Sequence, residues 1–136
     1  MIMKIDVEAL KMAARVAATH SYSPYSHYAV GAALLAEDGR VFTGCNVENA
    51  SYGLTLCAER TAVFKAISVG CRGFSALVIA AGAPDNIGTP CGACRQVLAE
   101  FCLPTLPVVC VGLDGEKSIT FTLGELLPHG FSLQKA

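Results

Sequence analysis

The first clear pattern in the chain is an apolar residue at every third or fourth position near its start, which is typical of an amphipathic helix. Residues 6–19 follow it, with charged side chains between the apolar positions Leu10, Ala13, Ala14 and Ala17. Pro24 lies shortly after them, and because proline has no amide hydrogen to donate, residues 21–26 are predicted to form a loop. We therefore expect one helix whose apolar face packs on a sheet.

Two pairs of apolar runs each surround an Asp-Gly dipeptide, a strong signal for a hairpin turn. One pair covers residues 28–36 and 40–47, and the other covers Pro107–Val111 and residues 118–121. Between the pairs, a short apolar run at residues 76–81 suits a buried strand, and the segment after it, up to residue 88, is rich in Gly, Pro, Asp and Asn. The pattern predicts two antiparallel hairpins, a buried strand and a loop.

A second helix is predicted over residues 56–69, a segment that contains the good helix formers alanine and lysine. Thr55 can cap its start, and Gly70 can end it. This assignment places Cys57 in the first turn of the helix.

Two more helices follow from capping residues. Thr89 and Pro90 suit the cap and the first position of a helix that continues to about residue 101. Residues 122–125 read Thr-Leu-Gly-Glu, which resembles a capping box for a short last helix ending at Pro128. Both cysteine motifs are therefore expected where helices begin.

The predicted order of elements is helix, two strands, helix, strand, helix, two strands, helix. A sheet whose middle strands are joined through helices and whose ends are hairpins makes a three-layer sandwich, so we expect an α/β fold with helices on both faces of a five-stranded mixed sheet. The chain of 136 residues fits a single domain over residues 1–136, and its hydrophobic content of 53% can supply the core. Sites in such sheets form where strand ends meet helix N-termini, which would bring the cysteines together.

Charge and hydropathy argue against two classes of partner. Charged residues make up 15% of the chain and the net charge is −1, so the chain has no basic field of the kind that attracts nucleic acid. No apolar run reaches the length of about 18 residues that a membrane span needs. Charged side chains also interrupt any signal-peptide core at Lys4, Asp6, Glu8, Lys11 and Arg15. We expect a soluble, cytoplasmic protein that binds neither nucleic acid nor membrane.

The seven cysteines of the chain suggest a metal site, because disulfide frameworks belong to secreted proteins. Cys91 and Cys94 are three apart, which fits one helical face, where Cβ atoms lie about 5–6 Å apart. Cys57 would be a third ligand. Catalytic zinc takes three protein ligands and leaves a position for water, and Glu59 beside Cys57 suggests such an open site. The remaining cysteines are interpreted as small buried hydrophobes: Cys45, Cys71, Cys102 and Cys110.

Several ordered motifs closely resemble the small, homotetrameric type of cytidine deaminase. They read Ser-Pro-Tyr-Ser at residues 23–26, Val-Gly-Ala-Ala at 30–33, Gly-Cys-Asn-Val-Glu-Asn-Ala at 44–50, Cys-Ala-Glu-Arg-Thr-Ala at 57–62 and Pro-Cys-Gly-Ala-Cys at 90–94. The resemblance implies the fold expected above, one Zn²⁺ per subunit, and a homotetramer with shared sites. It also implies hydrolysis of cytidine and deoxycytidine to uridine and deoxyuridine, with release of ammonia, in pyrimidine salvage. The zinc motif is also the known signature of zinc deaminases in general.

The resemblance assigns the reaction to Glu59. This carboxylate would take a proton from zinc-bound water, give it to ring N3, and later protonate the departing amino group. A regular helix points residues two apart in different directions, so Cys57 and Glu59 can converge only through the irregular geometry of a helix start.

The substrate contacts are likewise implied by resemblance. Asn46 and Glu48 would hold the ribose hydroxyls, which suits two polar side chains on the same side of an extended segment. Tyr28 stands where the family usually has Phe near the ribose and base, and the Ala58 N–H would contact the base. Three further residues match positions at or near subunit contacts: Phe131, which a neighbouring subunit would supply, and Ala50 and Tyr52.

Two arginines could offset the charge of the zinc site. Zn²⁺ with three thiolates carries a formal charge of −1, and helix N-termini offset part of it. Arg60 and Arg95 each follow a site residue and could donate hydrogen bonds to the sulfurs. The family assigns this function to the arginine after the glutamate, which makes Arg60 the stronger candidate; Arg95 could instead be a solvated helix residue.

Other functions remain open at this point. A dithiol redox protein would explain Cys91 and Cys94 but not Cys57 and Glu59. A structural zinc module would need a fourth protein ligand, such as Cys45 or a histidine. Blasticidin-type deaminases share the zinc motifs, but Asn46 and Glu48 favour a nucleoside. Editing of single-stranded nucleic acid needs a basic groove that this chain lacks.

Overall fold

The computed structural model describes residues 5–133, which form four α-helices and six strands. In chain order these are α1 (Val7–Ala18), β1 (Val30–Ala36), β2 (Val41–Cys45), a 3₁₀ helix (Tyr52–Leu54), α2 (Ala58–Ser68), β3 (Phe74–Ala83), β4 (Asn86–Ile87), α3 (Gly92–Phe101), β5 (Pro107–Val111), β6 (Ser118–Thr122) and α4 (Leu123–Leu126). Every helix and strand that the sequence predicts is present. Within these residues, no helix combines the length and the apolar character needed to cross a membrane.

The strands form one mixed sheet in the order β2-β1-β3-β5-β6. β3 and β5 are parallel, with Leu77 opposite Val108, and the other pairs along this path are antiparallel. The two predicted hairpins turn at Gly39 and Gly115, whose φ angles of 95° and 83° suit glycine. The predicted five-stranded mixed sheet is confirmed: these five strands make up the main path of the sheet.

The predicted loop after β3 is only partly a loop. It contains the sixth strand, β4, which pairs antiparallel with the end of β3 through Gly82 opposite Ile87 and Ala83 opposite Asn86. Gly82 has a φ of 76°, a conformation that reverses the chain at little cost for glycine. Two residues of pairing are too few to show as an alternating pattern in the sequence.

The core lies on both faces of the sheet, as the three-layer prediction requires. Along β1, alternate residues point to opposite sides: Leu34 packs in the cluster that includes α2 and α3, and Leu35 packs in the cluster that includes α1. β3 divides in the same way, with Leu77 on one side and Val78 on the other. Because both faces are covered, the buried positions of these strands are apolar on both sides.

Two glycines let helices lie directly on the sheet. A Cβ on Gly31 would lie 1.9 Å from the carbonyl oxygen of Ala14 in α1. A Cβ on Gly44 would lie 2.4 Å from the carbonyl oxygen of Ala58, the first residue of α2. The second contact brings the start of α2 against the end of β2.

The starts of α2 and α3 differ from the prediction. Cys57 and Cys91 are themselves the N-cap residues, with extended ψ angles of 154° and 167°, so Cys57 is not in a first helical turn. Thr55 does not cap α2; its side chain accepts a hydrogen bond from the N–H of Asn49. Thr89 and Pro90 precede the cap of α3 rather than forming its start. The short last helix does begin with the predicted capping box at Thr122.

Candidate active site

The N-termini of α2 and α3 border a pocket of about 400 Å³ beside the end of β3. Its lining combines carboxyl, amide, thiol and apolar groups from these elements and from the loops before β1 and after β2. The residues are Ser26, Tyr28, Val30, Asn46, Glu48, Thr55, Cys57, Ala58, Glu59, Ile79, Ala81, Gly88, Thr89 and Cys91. The pocket thus lies where the sequence predicts a site.

Three cysteine sulfurs meet at the base of the two helices. Cys57 Sγ lies 3.7 Å from Cys91 Sγ, and Cys91 Sγ lies 3.4 Å from Cys94 Sγ. All three sulfurs lie within 4.8 Å of one another, and no other His, Cys, Asp or Glu among residues 5–133 joins this group. Zinc–sulfur bonds of about 2.3 Å in a tetrahedron place two sulfurs about 3.8 Å apart. The sulfurs therefore fit zinc with one coordination position left for a non-protein ligand.

The thiols and an arginine stabilise one thiolate within the cluster. Hydrogen bonds from Cys94 and from Arg60, whose Nη2 lies 3.3 Å from the sulfur, lower the pKa of Cys57 to about 5. The pKa of Cys94 is raised, mainly by its hydrogen bond to Cys57. Cysteine binds a metal as the thiolate, so the environment of Cys57 already favours the ligand form.

Arg60 contacts a sulfur as predicted, but Arg95 does not. Arg95 Nε donates to the Pro90 carbonyl at 2.7 Å, and its Nη1 donates to the Leu126 carbonyl at 2.8 Å. Its Nη2 lies 3.4 Å from Thr89 Oγ1. The predicted hydrogen bond from Arg95 to a sulfur is wrong, because backbone carbonyls before α3 and at the end of α4 take up the planar guanidinium. Arg95 thereby fixes the segment that precedes Cys91.

Glu59 lies in the first turn of α2, beside the sulfur cluster, and only 4% of its surface is exposed. Burial, followed by the negative charge of Cys57, raises the pKa of this carboxyl. The extended backbone of Cys57 supplies the irregular geometry that lets the two side chains face the same pocket. Ala58 between them is fully buried and is the first helical residue, where the N–H has no acceptor within the helix.

Asn46 is buried in the pocket wall with its amide fixed in one orientation. Its Oδ1 accepts hydrogen bonds from the Val30 N–H and from the Ser21 hydroxyl, and its Nδ2 donates to the Tyr28 carbonyl at 2.8 Å. Both lone pairs of the oxygen are therefore occupied. Asn46 has one remaining N–H, so toward a ligand it can act only as a donor.

Glu48 can only accept hydrogen bonds, whereas Asn46 can only donate one to a ligand. One carboxylate oxygen accepts from the N–H groups of Tyr25 and Ser26, at 2.9 and 3.1 Å, and the other accepts from the Ser26 hydroxyl. These bonds, the Ser26 hydroxyl first among them, lower the pKa of Glu48. An ionised carboxylate can only accept hydrogen bonds. The pocket therefore places a donor and an acceptor on its wall.

Two serines that hold these groups have no function assigned by the sequence alone. Ser21 binds Asn46, and Ser26 binds Glu48, across more than twenty positions of the chain. The signal available was a loop with several hydroxyl groups just before β1. Which partner each hydroxyl takes depends on the fold, so it could not be predicted from the loop itself.

Of the other predicted site residues, Tyr28 lies in the pocket, whereas Phe131, Ala50 and Tyr52 are exposed and are not part of its lining. Tyr28 lines the pocket and is 44% exposed. Phe131 is 68% exposed and borders a different pocket with Ala99 and Leu127, so it does not reach the sulfur cluster of its own chain. Ala50 is exposed, and Tyr52 is 76% exposed, with its ring edge-on to Tyr25 at a centroid distance of 6.2 Å.

Comparison with known proteins gives consistent matches over most of the chain. The family model described as the cytidine and deoxycytidylate deaminase zinc-binding region matches residues 3–111. The chain is 51% identical to the cytidine deaminase of Sporosarcina psychrophila, over 94% of this chain and 93% of that protein. It is 48% identical to the probable cytidine deaminase of Dictyostelium discoideum, over 88% and 80% of the two chains.

Solved structures match as closely. The crystal structure of cytidine deaminase from Burkholderia pseudomallei superposes with a TM-score of 0.88 at 47% identity, covering 93% of this chain and 100% of that one. The cytidine deaminase of Mycobacterium tuberculosis superposes with a TM-score of 0.81 at 46% identity, covering 96% and 100%.

Proposed function

Because this chain belongs to the family of cytidine and deoxycytidylate deaminases, we propose that it hydrolyses cytidine and deoxycytidine to uridine and deoxyuridine and releases ammonia, as a step of pyrimidine salvage. The observation that supports this most strongly is the buried carboxylate of Glu59 beside three sulfurs spaced for zinc. A dithiol redox site would need neither Glu59 nor the third sulfur. A closed structural zinc site would need a fourth ligand, which the cluster lacks among residues 5–133.

Cys57, Cys91 and Cys94 would hold the zinc ion, with one ion in each subunit. When bound there, zinc would supply Lewis-acid chemistry that activates water for attack. The chain contributes the charge balance that three thiolates require. Arg60 donates to the Cys57 sulfur, and the N-termini of α2 and α3 both face the cluster with their partial positive charge.

Glu59 transfers the protons of the reaction. It accepts a proton from the attacking water, whose oxygen forms a bond to C4 of the cytosine, and it passes that proton to ring N3. It then carries the second water proton to the amino nitrogen as the C4–N bond breaks, so that ammonia and uridine leave. The Ala58 N–H, which has no acceptor within α2, donates to the ring and holds its orientation.

Asn46 and Glu48 recognise the sugar. A sugar hydroxyl both donates and accepts a hydrogen bond, which matches the free N–H of Asn46 and the carboxylate of Glu48. Tyr28 covers the ribose and base from the neighbouring wall. These contacts favour a nucleoside over the free base.

The substrate is a nucleoside rather than a nucleotide. The lining of the pocket contains the carboxylates Glu48 and Glu59 and, among the described residues, no lysine or arginine. A phosphate group would therefore meet like charge without a cation to pair with it. On the same grounds, we propose that nucleic acid is not a substrate.

The active unit we propose is a homotetramer whose subunits complete one another's sites. Phe131 is exposed and lies away from the pocket of its own chain, and Tyr52 and Leu54 are more than two-thirds exposed near the loop that carries Glu48. Large exposed apolar side chains such as these mark interaction surfaces. Ala50 and Tyr52 are placed at the contact, and Phe131 covers the substrate of a neighbour.

We place the protein in the cytoplasm. All seven cysteines lie in the described part of the chain as free thiols, and the zinc site works only while three of them stay reduced. The cytoplasm keeps thiols reduced.

The test is a panel of substrates offered to the purified, zinc-loaded protein. Cytidine and deoxycytidine should yield uridine or deoxyuridine with one ammonia each, and cytosine and deoxycytidylate should react far more slowly. Preferential turnover of deoxycytidylate would overturn the nucleoside assignment. Absence of turnover with every member of the panel, at full zinc occupancy, would overturn the function itself.

A further inference from the structure

The backbone of Tyr28 is fixed by the two groups proposed to bind the sugar. Its N–H donates to the Ser26 hydroxyl, which also binds Glu48, at 3.1 Å. Its carbonyl accepts from Asn46 Nδ2 at 2.8 Å. These two hydrogen bonds fix the backbone of Tyr28 on the wall of the pocket that is proposed to bind the sugar.

The hydroxyl of Tyr28 ends against a glycine on the other side. A Cβ built on Gly88 would lie 2.6 Å from Tyr28 Oη, well inside the optimum of about 3.5–4.0 Å between non-bonded carbon atoms. A Cβ on Gly82 would lie 3.4 Å from the same oxygen. The phenol oxygen thus occupies space that exists only because residue 88 has no side chain.

Gly88 belongs to the segment that leads to the zinc ligands. Its N–H is 3.4 Å from the Ala81 carbonyl, and the chain then runs through Thr89 and Pro90 to Cys91. Gly82, at the other end of the segment, accepts a hydrogen bond from the Leu113 N–H at 2.9 Å. The segment runs from Gly82, which is hydrogen-bonded to Leu113, to the ligand Cys91. Tyr28 contacts Gly88, which lies between these two residues.

We propose that Tyr28 is a positioning residue whose hydroxyl, seated against Gly88, sets the width of the substrate pocket between the sugar-binding wall and the segment that leads to Cys91. The ring spans the distance from one wall to the other, so its length fixes their separation. The effect on substrate rests on the proposed function; the contact between Tyr28 and Gly88 does not.

A double-mutant cycle tests the contact. Gly88→Ala should raise KM for cytidine by about tenfold or more, because small misplacements of a pocket wall are costly. Tyr28→Phe alone should raise KM about threefold with kcat nearly unchanged, since it loosens binding without touching the proton transfer. The double variant should recover part of the loss caused by Gly88→Ala, because the nearest remaining ring atom, Cζ, lies 3.8 Å from the added methyl group, whereas the Ala81 Cβ stays 3.2 Å from it.

Gly92→Ala is the matched control. A Cβ at Gly92 meets no atom within 4 Å, although the residue belongs to the stretch that begins at Gly88 and reaches α3. Tyr28→Phe should therefore show no coupling with Gly92→Ala. A merely structural contact would shift Tm without separating KM from kcat.

Three results would overturn the proposal. They are a normal KM for Gly88→Ala, a double variant no better than Gly88→Ala in turnover or in folded yield, and equal coupling of Tyr28→Phe to Gly92→Ala. If the unaltered protein turns over none of the nucleosides, the proposed function fails, and the contact is then judged by Tm alone. In that case the double variant should melt above Gly88→Ala, and a lower or equal Tm would contradict the contact.

Discussion

Asn46 and Glu59 are the only polar or charged side chains among residues 5–133 that are buried, and both line the same pocket. Burying a polar group is costly unless hydrogen bonds or function offset the cost. Asn46 is compensated by three hydrogen bonds. For Glu59, burial and, after it, the negative charge of Cys57 raise the pKa of the carboxyl, which suits a group that must take up and release protons.

Glu59→Gln should keep zinc and the fold but lower kcat by about 10²-fold or more, because the amide preserves shape and cannot carry a proton. Turnover measured together with zinc content checks this. Glu116→Gln, at an exposed position away from the pocket, is the matched control and should leave kcat unchanged. Near-normal turnover of Glu59→Gln at full zinc occupancy would refute the assignment.

Replacing the two arginines should have different effects, one on zinc retention and the other on thermal stability. Arg60→Ala should release zinc to a chelator faster and lower activity, because the hydrogen bond to the Cys57 sulfur is lost. Arg95→Ala should mainly lower Tm, since that side chain holds the carbonyls of Pro90 and Leu126. Zinc release followed by a colorimetric chelator, alongside thermal melting, separates the two. Equal rates of zinc release in both variants would show that the contact of Arg60 does not matter for the metal.

At the scale of elements, the close approach of helices to the sheet depends on glycines in the strands. The α1 backbone reaches β1 at Gly31, where a Cβ would lie 1.9 Å from the Ala14 carbonyl oxygen and 2.5 Å from the Ala18 nitrogen. Both are backbone atoms, so the helix as a whole must move to admit a methyl group. α1 can therefore pack this close to β1 only because Gly31 has no side chain.

Gly31→Ala should destabilise the fold by about 1–3 kcal/mol or more, the usual cost of overpacking. Gly53→Ala, where a Cβ meets nothing within 4 Å, should change the free energy of unfolding much less. Urea denaturation of both variants, compared with the unaltered chain, gives the two values. Equal stabilities would mean that α1 can shift away from β1 without loss.

The sequence predicted the elements better than their ends. Periodicity predicts α1, helix formers and capping residues predict the other helices, and the Asp-Gly dipeptides predict the hairpins, because all of these signals are local. The predicted helix starts are wrong because Thr55 and Thr89 are good caps by residue type, whereas Cys57 and Cys91, with extended backbones, are the N-cap residues. The contacts of Ser21 and Arg95 depend on distant segments, so no local pattern could reveal them.

At the scale of the whole molecule, the chain carries large apolar groups on its surface away from the sulfur cluster. Leu54, Tyr52 and Phe131 are each more than two-thirds exposed. Excluding water strengthens the electrostatic interactions within a site, so covering the pocket would favour this reaction. A neighbouring subunit can supply that cover.

Mixing Glu59→Gln subunits with Phe131→Ala subunits should therefore restore activity. Some sites in the hybrids would combine an intact Glu59 with a neighbour's intact Phe131. Native mass spectrometry establishes the subunit number and whether hybrids form. If hybrids form and their activity stays at or below that of the Phe131→Ala protein, the shared-site arrangement is wrong.

The central claim is that this pocket replaces the amino group at C4 with oxygen from water. The most direct measurement is mass spectrometry of the uridine formed when the zinc-loaded protein acts on cytidine in ¹⁸O-labelled water. We expect one labelled oxygen in the base of each uridine and one ammonia released with it, and we expect Glu59→Gln to form this product at least about 10²-fold more slowly. Unlabelled uridine, or labelled uridine formed equally by Glu59→Gln, would contradict the account.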